Sequence, residues 1–228
     1  MTQAEATFIE RMDPRNRSDV EAVSVLHEKF LGDSPVARLG PAFLRDVYYS
    51  KLLADGLYDC LVCRSRKDGR VVAFISYTDK PMDFMARGLK LHFFRVAWSV
   101  YRSVLAKPQR LRDVLFVLRL MSVRSTSSDD RVLQGGAAEA LSMAVLPEFQ
   151  NSVPEGGKTR IAVRLIELMA ADMRERNVSD IAFYVDPANR AANLLYSAMG
   201  CKFEKIQTAG TVRHRFIYPV SPRLEAAK

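Results

Sequence analysis

Three cysteines, three histidines and one tryptophan in 228 residues leave little material for a disulfide framework or a metal cage. His27, His92 and His214 are scattered singly, so no metal site is expected. Cys60-Leu-Val-Cys63 has the spacing of a metal or redox pair, but it falls in a segment that reads as a strand. A separation of three there sends the two side chains to opposite faces, and structural cysteines are the expected reading. No run of about 18 uncharged apolar residues occurs, so no membrane-spanning helix is expected. The opening stretch, MTQAEATFIERMDP, is acidic early and has no apolar core, so no secretory leader is expected either. With few cysteines and no leader, the reducing cytoplasm is the expected location. There is no internal repeat and no low-complexity run.

What is present suits a soluble globular chain: 48% hydrophobic and 26% charged residues, ordinary values that speak against disorder. A chain of this length buries most of its apolar surface without staples, and we expect one domain over residues 1–228. The net charge is +8, and its position is informative. Between Lys80 and Arg131 lie eleven Lys/Arg against four Asp, a net +7. Such a block suits nucleic acid, anionic lipid or a phosphorylated substrate, or a solvated helix face on an insertion. No nucleic-acid reader motif accompanies it, so nucleic acid is not expected. Peripheral contact with a membrane or other anionic surface through residues 84–121 stays open, as does a homodimer.

Along the chain, Ala6–Arg11 alternates as a first strand. Ser18 and Glu21 have the spacing of a capping box, followed by Val20, Val23, Leu26 and Phe30 at helical spacing. Pro41 opens another helix with Phe43, Leu44, Val47, Tyr48 and Leu52 on its apolar side. Tyr58–Arg64 and Val71–Thr78 flank an Asp68-Gly69 turn and read as a hairpin. Residues 84–121 read as helix broken at Pro108, with Leu89, Phe93, Val96, Val100 and Val104 on one side; residues 125–136 read as a loop. Ala138–Leu146 reads as a buried strand, 159–176 as a helix, 179–185 as a strand, 189–199 as a helix ended by Gly200, and 202–207 and 212–220 as two final strands. The alternation in the second half implies α/β layering.

Two segments carry chemistry. The first is Leu141-Ser-Met-Ala-Val-Leu-Pro-Glu-Phe-Gln150, followed by a loop with Gly156 and Gly157 and then a helix. A strand feeding a loop and a helix N-terminus presents unpaired N–H groups and a positive dipole end, which suits phosphate. Lys158 and Arg160 add charge. Residues Ser152–Thr159 also resemble a P-loop, S-x-x-x-x-G-K-T, although its first glycine is Ser152 and Pro147–Asn151 separate it from the strand. The second segment is Asn189-Arg-Ala-Ala192-Asn-Leu-Leu195-Tyr196-Ser-Ala-Met-Gly200.

Asn189, Ala192, Leu195, Tyr196 and Gly200 resemble the N-x-x-A-x-x-L-Y-x-x-x-G pattern on the last major helix of the GNAT N-acetyltransferases; Cys201 replaces the aromatic that often follows. Val145, Pro147, Glu148 and Gln150 resemble the same superfamily's cofactor-binding strand, V-x-P-E-x-Q/R, although the glycines come later than that pattern places them. The upstream order of strand, helices and hairpin also resembles these proteins, outside Lys80–Arg131. A helical insertion there, with Leu-His-Glu-Lys-Phe and Leu-Gly-Pro-Ala-Phe-Leu upstream, resembles a subgroup associated with bacterial glycan biosynthesis.

The resemblance implies an α/β (α+β) fold with a central mixed, mostly antiparallel sheet flanked by helices, and a helical insertion at about 80–131 between the third and fourth strands. It implies acetyl-CoA as co-substrate and acetyl transfer to the primary amine of a small molecule, with an amino sugar or nucleotide-linked amino sugar as the acceptor class. By the same resemblance, Tyr196 gives a proton to the CoA sulfur and Glu139, at the start of the strand beside the acetyl group, is the candidate base. The main chain of Met143-Ala144-Val145 lines the acetyl group and pantetheine. Gln150 and Asn151, with Gly156, Gly157, Lys158 and Thr159, surround the pyrophosphate, and Asn189 contacts the CoA arm. Protein N-acetylation, a P-loop-like nucleotide-binding protein, and a non-catalytic CoA-binding or membrane-surface protein remain alternatives.

Overall fold

The computed structural model describes residues 6–115, 137–208 and 211–220. The reading of 125–136 as a loop lies outside the described residues. Seven strands form one sheet in the order β1-β2-β3-β4-β5-β7-β6. They are β1 (Thr7–Arg11), β2 (Asp59–Ser65), β3 (Val71–Thr78), β4 (Ala138–Val145), β5 (Asp180–Val185), β6 (Lys202–Thr208) and β7 (Thr211–Pro219). All neighbours pair antiparallel except β4 and β5, which are parallel.

On one face lie α1 (Arg17–Leu31), α2 (Pro35–Arg38) and α3 (Pro41–Phe43), which continues as a π-helix over Leu44–Leu52. The insertion supplies α4 (Phe84–Leu91), α5 (Phe93–Ala106) and α6, helical over residues 110–115. Their apolar side chains close one core over β2–β4. On the other face α7 (Ile161–Glu175) buries Ile161, Leu165, Ile166, Met169 and Met173, and α8 (Arg190–Ala198) adds Tyr196 to the same second core. Cys60 and Cys63 fall in different cores, one on each face of β2, as a spacing of three in a strand requires.

Several boundaries differ from expectation for local reasons. Asn16, not Ser18, caps α1: its side chain accepts from the Ser18 N–H, so the first free amide is satisfied two residues earlier than a capping box would do it. The short helix α2 was not expected; Ser34 caps it and Pro35 starts it. The wide π-turn lets the consecutive residues Tyr48 and Tyr49 both face inward, each 0% exposed. The Tyr58 hydroxyl donates to the Tyr48 carbonyl at 2.8 Å. Gly40 has φ 103°, and a Cβ there would stand 2.4 Å from the Ser103 hydroxyl, so only glycine lets the chain pass this close to α5.

His27 is fully buried, with Nδ1 2.6 Å from the Tyr49 hydroxyl and Nε2 2.8 Å from Ser34 Oγ. Burial pushes its pKa down to about 4. On acidification the unfolded chain takes up the imidazole proton first. Stability is therefore full above the ordinary value of about 6.5 and falls as the pH drops toward 4. Between about pH 7 and pH 5 the loss from this residue is about 2 kcal/mol. Denaturant titrations at the two pH values are expected to show His27→Asn losing less stability than wild type by about that amount; equal losses would refute the assignment.

Candidate active site

The site begins with a defect in the sheet. β4 pairs with β5 only over Ala138–Ala140 against Ile181–Phe183. Immediately afterwards the β3–β4 register shifts: Ser76 faces Ser142 but Tyr77 faces Ala140, so Leu141 is an extra residue. A bulge bends its strand, and here the bend coincides with the point where β4 leaves β5. Beyond it, Leu141–Val145 on one side and Tyr184–Val185 on the other flank an unpaired wedge.

Strand alternation decides which main-chain groups face the wedge. The Leu146 N–H donates to the Val72 carbonyl at 2.9 Å. In an antiparallel pair alternate residues direct N–H and C=O to the same neighbour, so Ala144 and Ser142 also face β3. Met143 and Val145 direct theirs the other way, where β5 has departed. Of the strand residues expected to line the acetyl group and pantetheine, Met143 and Val145 thus hold main-chain groups with no strand partner among the described residues, whereas Ala144 is occupied on β3 and buries its side chain.

At the end of β4, a 3-10 turn (Pro147–Phe149) leads into residues 150–160. The loop is pinned to β1 by the Glu155 N–H on the Thr7 carbonyl at 2.7 Å and to the end of β2 by an Arg66–Glu155 ion pair. Gly156 has φ 69°, a left-handed conformation that glycine adopts freely. Helix α7 starts at Ile161 with Arg160 as N-cap and no side-chain capping bond. Among the described residues, the N–H groups of Lys158, Thr159 and Arg160 have no main-chain acceptor. Gln150, Asn151, Gly156 and Lys158 are exposed here. The Thr159 hydroxyl donates to Glu167 at 3.2 Å, which leaves its N–H for an anion. The P-loop alternative fails on this geometry. Lys158-Thr159 lies ahead of the helix rather than in its first turn, the loop is long, and the sheet is mostly antiparallel.

Tyr196 lies on the α7 face of the sheet, 6% exposed, with its ring 4.3 Å from Phe183 and 5.6 Å from Phe216, centroid to centroid. Burial pushes its pKa up, so the phenol stays protonated through the neutral range. Asn189 caps α8, its Oδ1 accepting from the Ala192 N–H at 3.1 Å. This bond holds the start of the helix that carries Tyr196.

Glu139 is 6% exposed, not a solvated strand-end charge. It pairs in register with Thr78 and Ala182, so it lies on the sheet face opposite Tyr196. The same face carries a ladder that sequence reasoning missed: Tyr184 opposes Arg215, and Arg215 opposes Glu204. Arg215 is 8% exposed and donates through Nε to Glu204 at 2.8 Å. Burial works to raise the Glu204 pKa, but hydrogen bonds from Arg215 and Lys202 outweigh it and hold the carboxyl below its usual range. The available signal was Arg213 and Arg215 two apart between Val212 and Phe216 in a strand segment, which places both charges on one sheet face.

No protein-family model matches the chain, and no curated protein matches it by sequence. Solved structures do share its fold. An N-acetyltransferase from Staphylococcus aureus Mu50 is 10% identical and superposes with a TM-score of 0.55 over 94% of this chain and 99% of its own. Arabidopsis thaliana NAA60 in complex with a bisubstrate analogue is 15% identical, with a TM-score of 0.54 over 94% and 98%. The Salmonella typhimurium protein yncA, solved with its cofactor acetyl-CoA, is 14% identical, with a TM-score of 0.54 over 97% of each chain. The architecture is that of the GNAT acetyltransferases, with a helical insertion between β3 and β4.

Proposed function

We propose that the protein is an acetyl-CoA-dependent N-acetyltransferase, a single catalytic domain carrying a basic helical insertion. The observation that carries this reading is the wedge opened by the Leu141 bulge, with the main chain of Met143 and Val145 turned into it. Pantetheine is an extended, amide-bearing chain, and it supplies the hydrogen bonds that β5 no longer makes. The uncapped start of α7, with Lys158 and Arg160, takes the pyrophosphate.

The two faces of the sheet divide the work. The thioester enters from the face of α7 and Tyr196, and the amine from the face of Glu139. Glu139 takes the proton that the ammonium must lose before attack, directly or through water. The acetyl oxygen develops negative charge beside the N–H groups of β4, and the Tyr196 hydroxyl donates to the departing sulfur. Arg215, fixed by Glu204, adds a cation on the amine side. It favours a small acceptor that also bears an anionic group, such as a nucleotide-linked amino sugar. The same reading places the protein in the cytoplasm, where acetyl-CoA is at hand; among the described residues, no helix is long and apolar enough to cross a membrane.

Thermal unfolding with acetyl-CoA and with ATP, side by side, tests the reading. Ligand at about a hundred times its Kd adds about 2.7 kcal/mol to the folded state, so acetyl-CoA is expected to raise Tm by several degrees and ATP to leave it near the ligand-free value. Stabilisation by ATP alone would reject the proposal. An acceptor screen with thiol detection then identifies the amine.

A further inference from the structure

Helix α5 turns its most apolar side to solvent. Its inward side carries Ser99 and Ser103, each 3% exposed, beside the half-buried Val96, Val100 and Val104. Phe93, expected on that side, is 63% exposed. At roughly 100° per residue, Phe94, Trp98, Tyr101 and Leu105 fall within an arc of about 60° on the opposite side. They are 85%, 61%, 53% and 63% exposed. Leu91 before the helix and Leu111 and Leu115 in α6 are also exposed. A contiguous patch of this kind on a folded chain marks an interaction site.

Its surroundings indicate what covers it. Arg95 and Arg102 border the arc, and Lys90 and Lys107 are exposed near its two ends. Arg95 also lines a groove with Arg15, Arg17 and Lys51, in which the carboxylates of Glu21 and Asp46 are paired with Arg45. None of the other seven cations has an ion pair among the described residues. Aromatic and leucine side chains on one stripe, with arginines and lysines flanking it, are the composition of a helix lying in the plane of a lipid interface. A second copy of the same face would set like charges together, which disfavours self-association.

We propose that α5 seats the protein on an anionic membrane surface, with Phe94, Trp98, Tyr101 and Leu105 at the headgroup–acyl boundary and the flanking cations on lipid phosphates. The proposal stands independently of acetyl transfer. Trp98 is the only tryptophan in the chain, so its fluorescence reports on this face alone. With the full chain, vesicles of phosphatidylcholine and phosphatidylglycerol are expected to co-sediment the protein, shift its emission to the blue and quench it when the lipid is brominated. Vesicles of phosphatidylcholine alone are expected to bind far less. Phe94→Glu with Leu105→Glu is expected to lower the bound fraction by about ten-fold or more, and Arg95→Gln with Arg102→Gln to lower it on anionic vesicles. Both variants should keep the wild-type melting transition, since the four side chains are exposed. Unshifted emission with the protein left in the supernatant would overturn the proposal. So would emission that is already blue and indifferent to lipid. A lipid-free shift that grows with protein concentration would assign the face to a second copy instead.

Discussion

Replacing Tyr196 with phenylalanine is expected to lower turnover by about a hundred-fold, the lower end of what a positioned proton donor contributes, while acetyl-CoA affinity stays within about three-fold and the fold is kept. Structure and chemistry both support that split. The ring contacts with Phe183 and Phe216 survive the substitution, and among the described residues the hydroxyl makes no hydrogen bond whose loss would weaken the core. Burial holds the phenol protonated, which suits a donor and not a base. A thiol of ordinary pKa near 8.5 does not pull the proton fully from a phenol of 10 or above. The benefit is therefore a hydrogen bond to the thiolate as it forms, present in the transition state and nearly absent before it. Steady-state turnover by thiol release, with calorimetric titration of acetyl-CoA, separates the two quantities. Unchanged turnover would remove Tyr196 from the mechanism.

Val145→Pro is expected to produce the complementary effect, a loss of acetyl-CoA affinity of about ten- to a hundred-fold, the size of one hydrogen bond removed with its partner left unsatisfied. Proline usually breaks a sheet because it lacks the ladder N–H. At Val145 that N–H faces the wedge, while Ala144 and Leu146 hold β3, so the strand loses no ladder bond. The residue before proline must be extended, and Ala144 is already in a strand. Calorimetry at matched thermal stability checks the result. A variant that melts like wild type and binds acetyl-CoA equally well would show that the wedge is not where the cofactor lies.

The fold was largely legible because its signals are local. The Asp68-Gly69 step between two apolar runs marked the β2–β3 hairpin, and the Asn189–Gly200 pattern marked α8 and the strand before it. Loop chemistry also placed the uncapped start of α7 beside Gly156. The features that shape the site are non-local. A bulge at Leu141 exists only as a register against β3 and leaves no trace in composition. The Tyr184–Arg215–Glu204 ladder depends on β7 inserting between β5 and β6, an order that no single segment encodes. For Asn189 the pattern fixed the residue but did not show that its side chain caps α8. Helix α5 misled in another way: its valines and its aromatics both recur at helical spacing, and periodicity alone does not say which stripe faces inward. Gly40 and Ser103 decide it by permitting a close approach that an aromatic face would not allow.

Amide hydrogen exchange with and without acetyl-CoA is the most direct measurement of the central claim. The Met143 and Val145 amides are expected to exchange readily in the free protein, since among the described residues no strand covers them, and to slow markedly on binding, together with the amides of residues 158–160 and 162–163, the Ile161 N–H being already bonded to the Ser152 carbonyl at 3.0 Å. Exchange at Ala144 and Leu146, already bonded to β3, is expected to change little. Protection unchanged at Met143 and Val145 under saturating acetyl-CoA, or appearing elsewhere in the chain, would contradict the account.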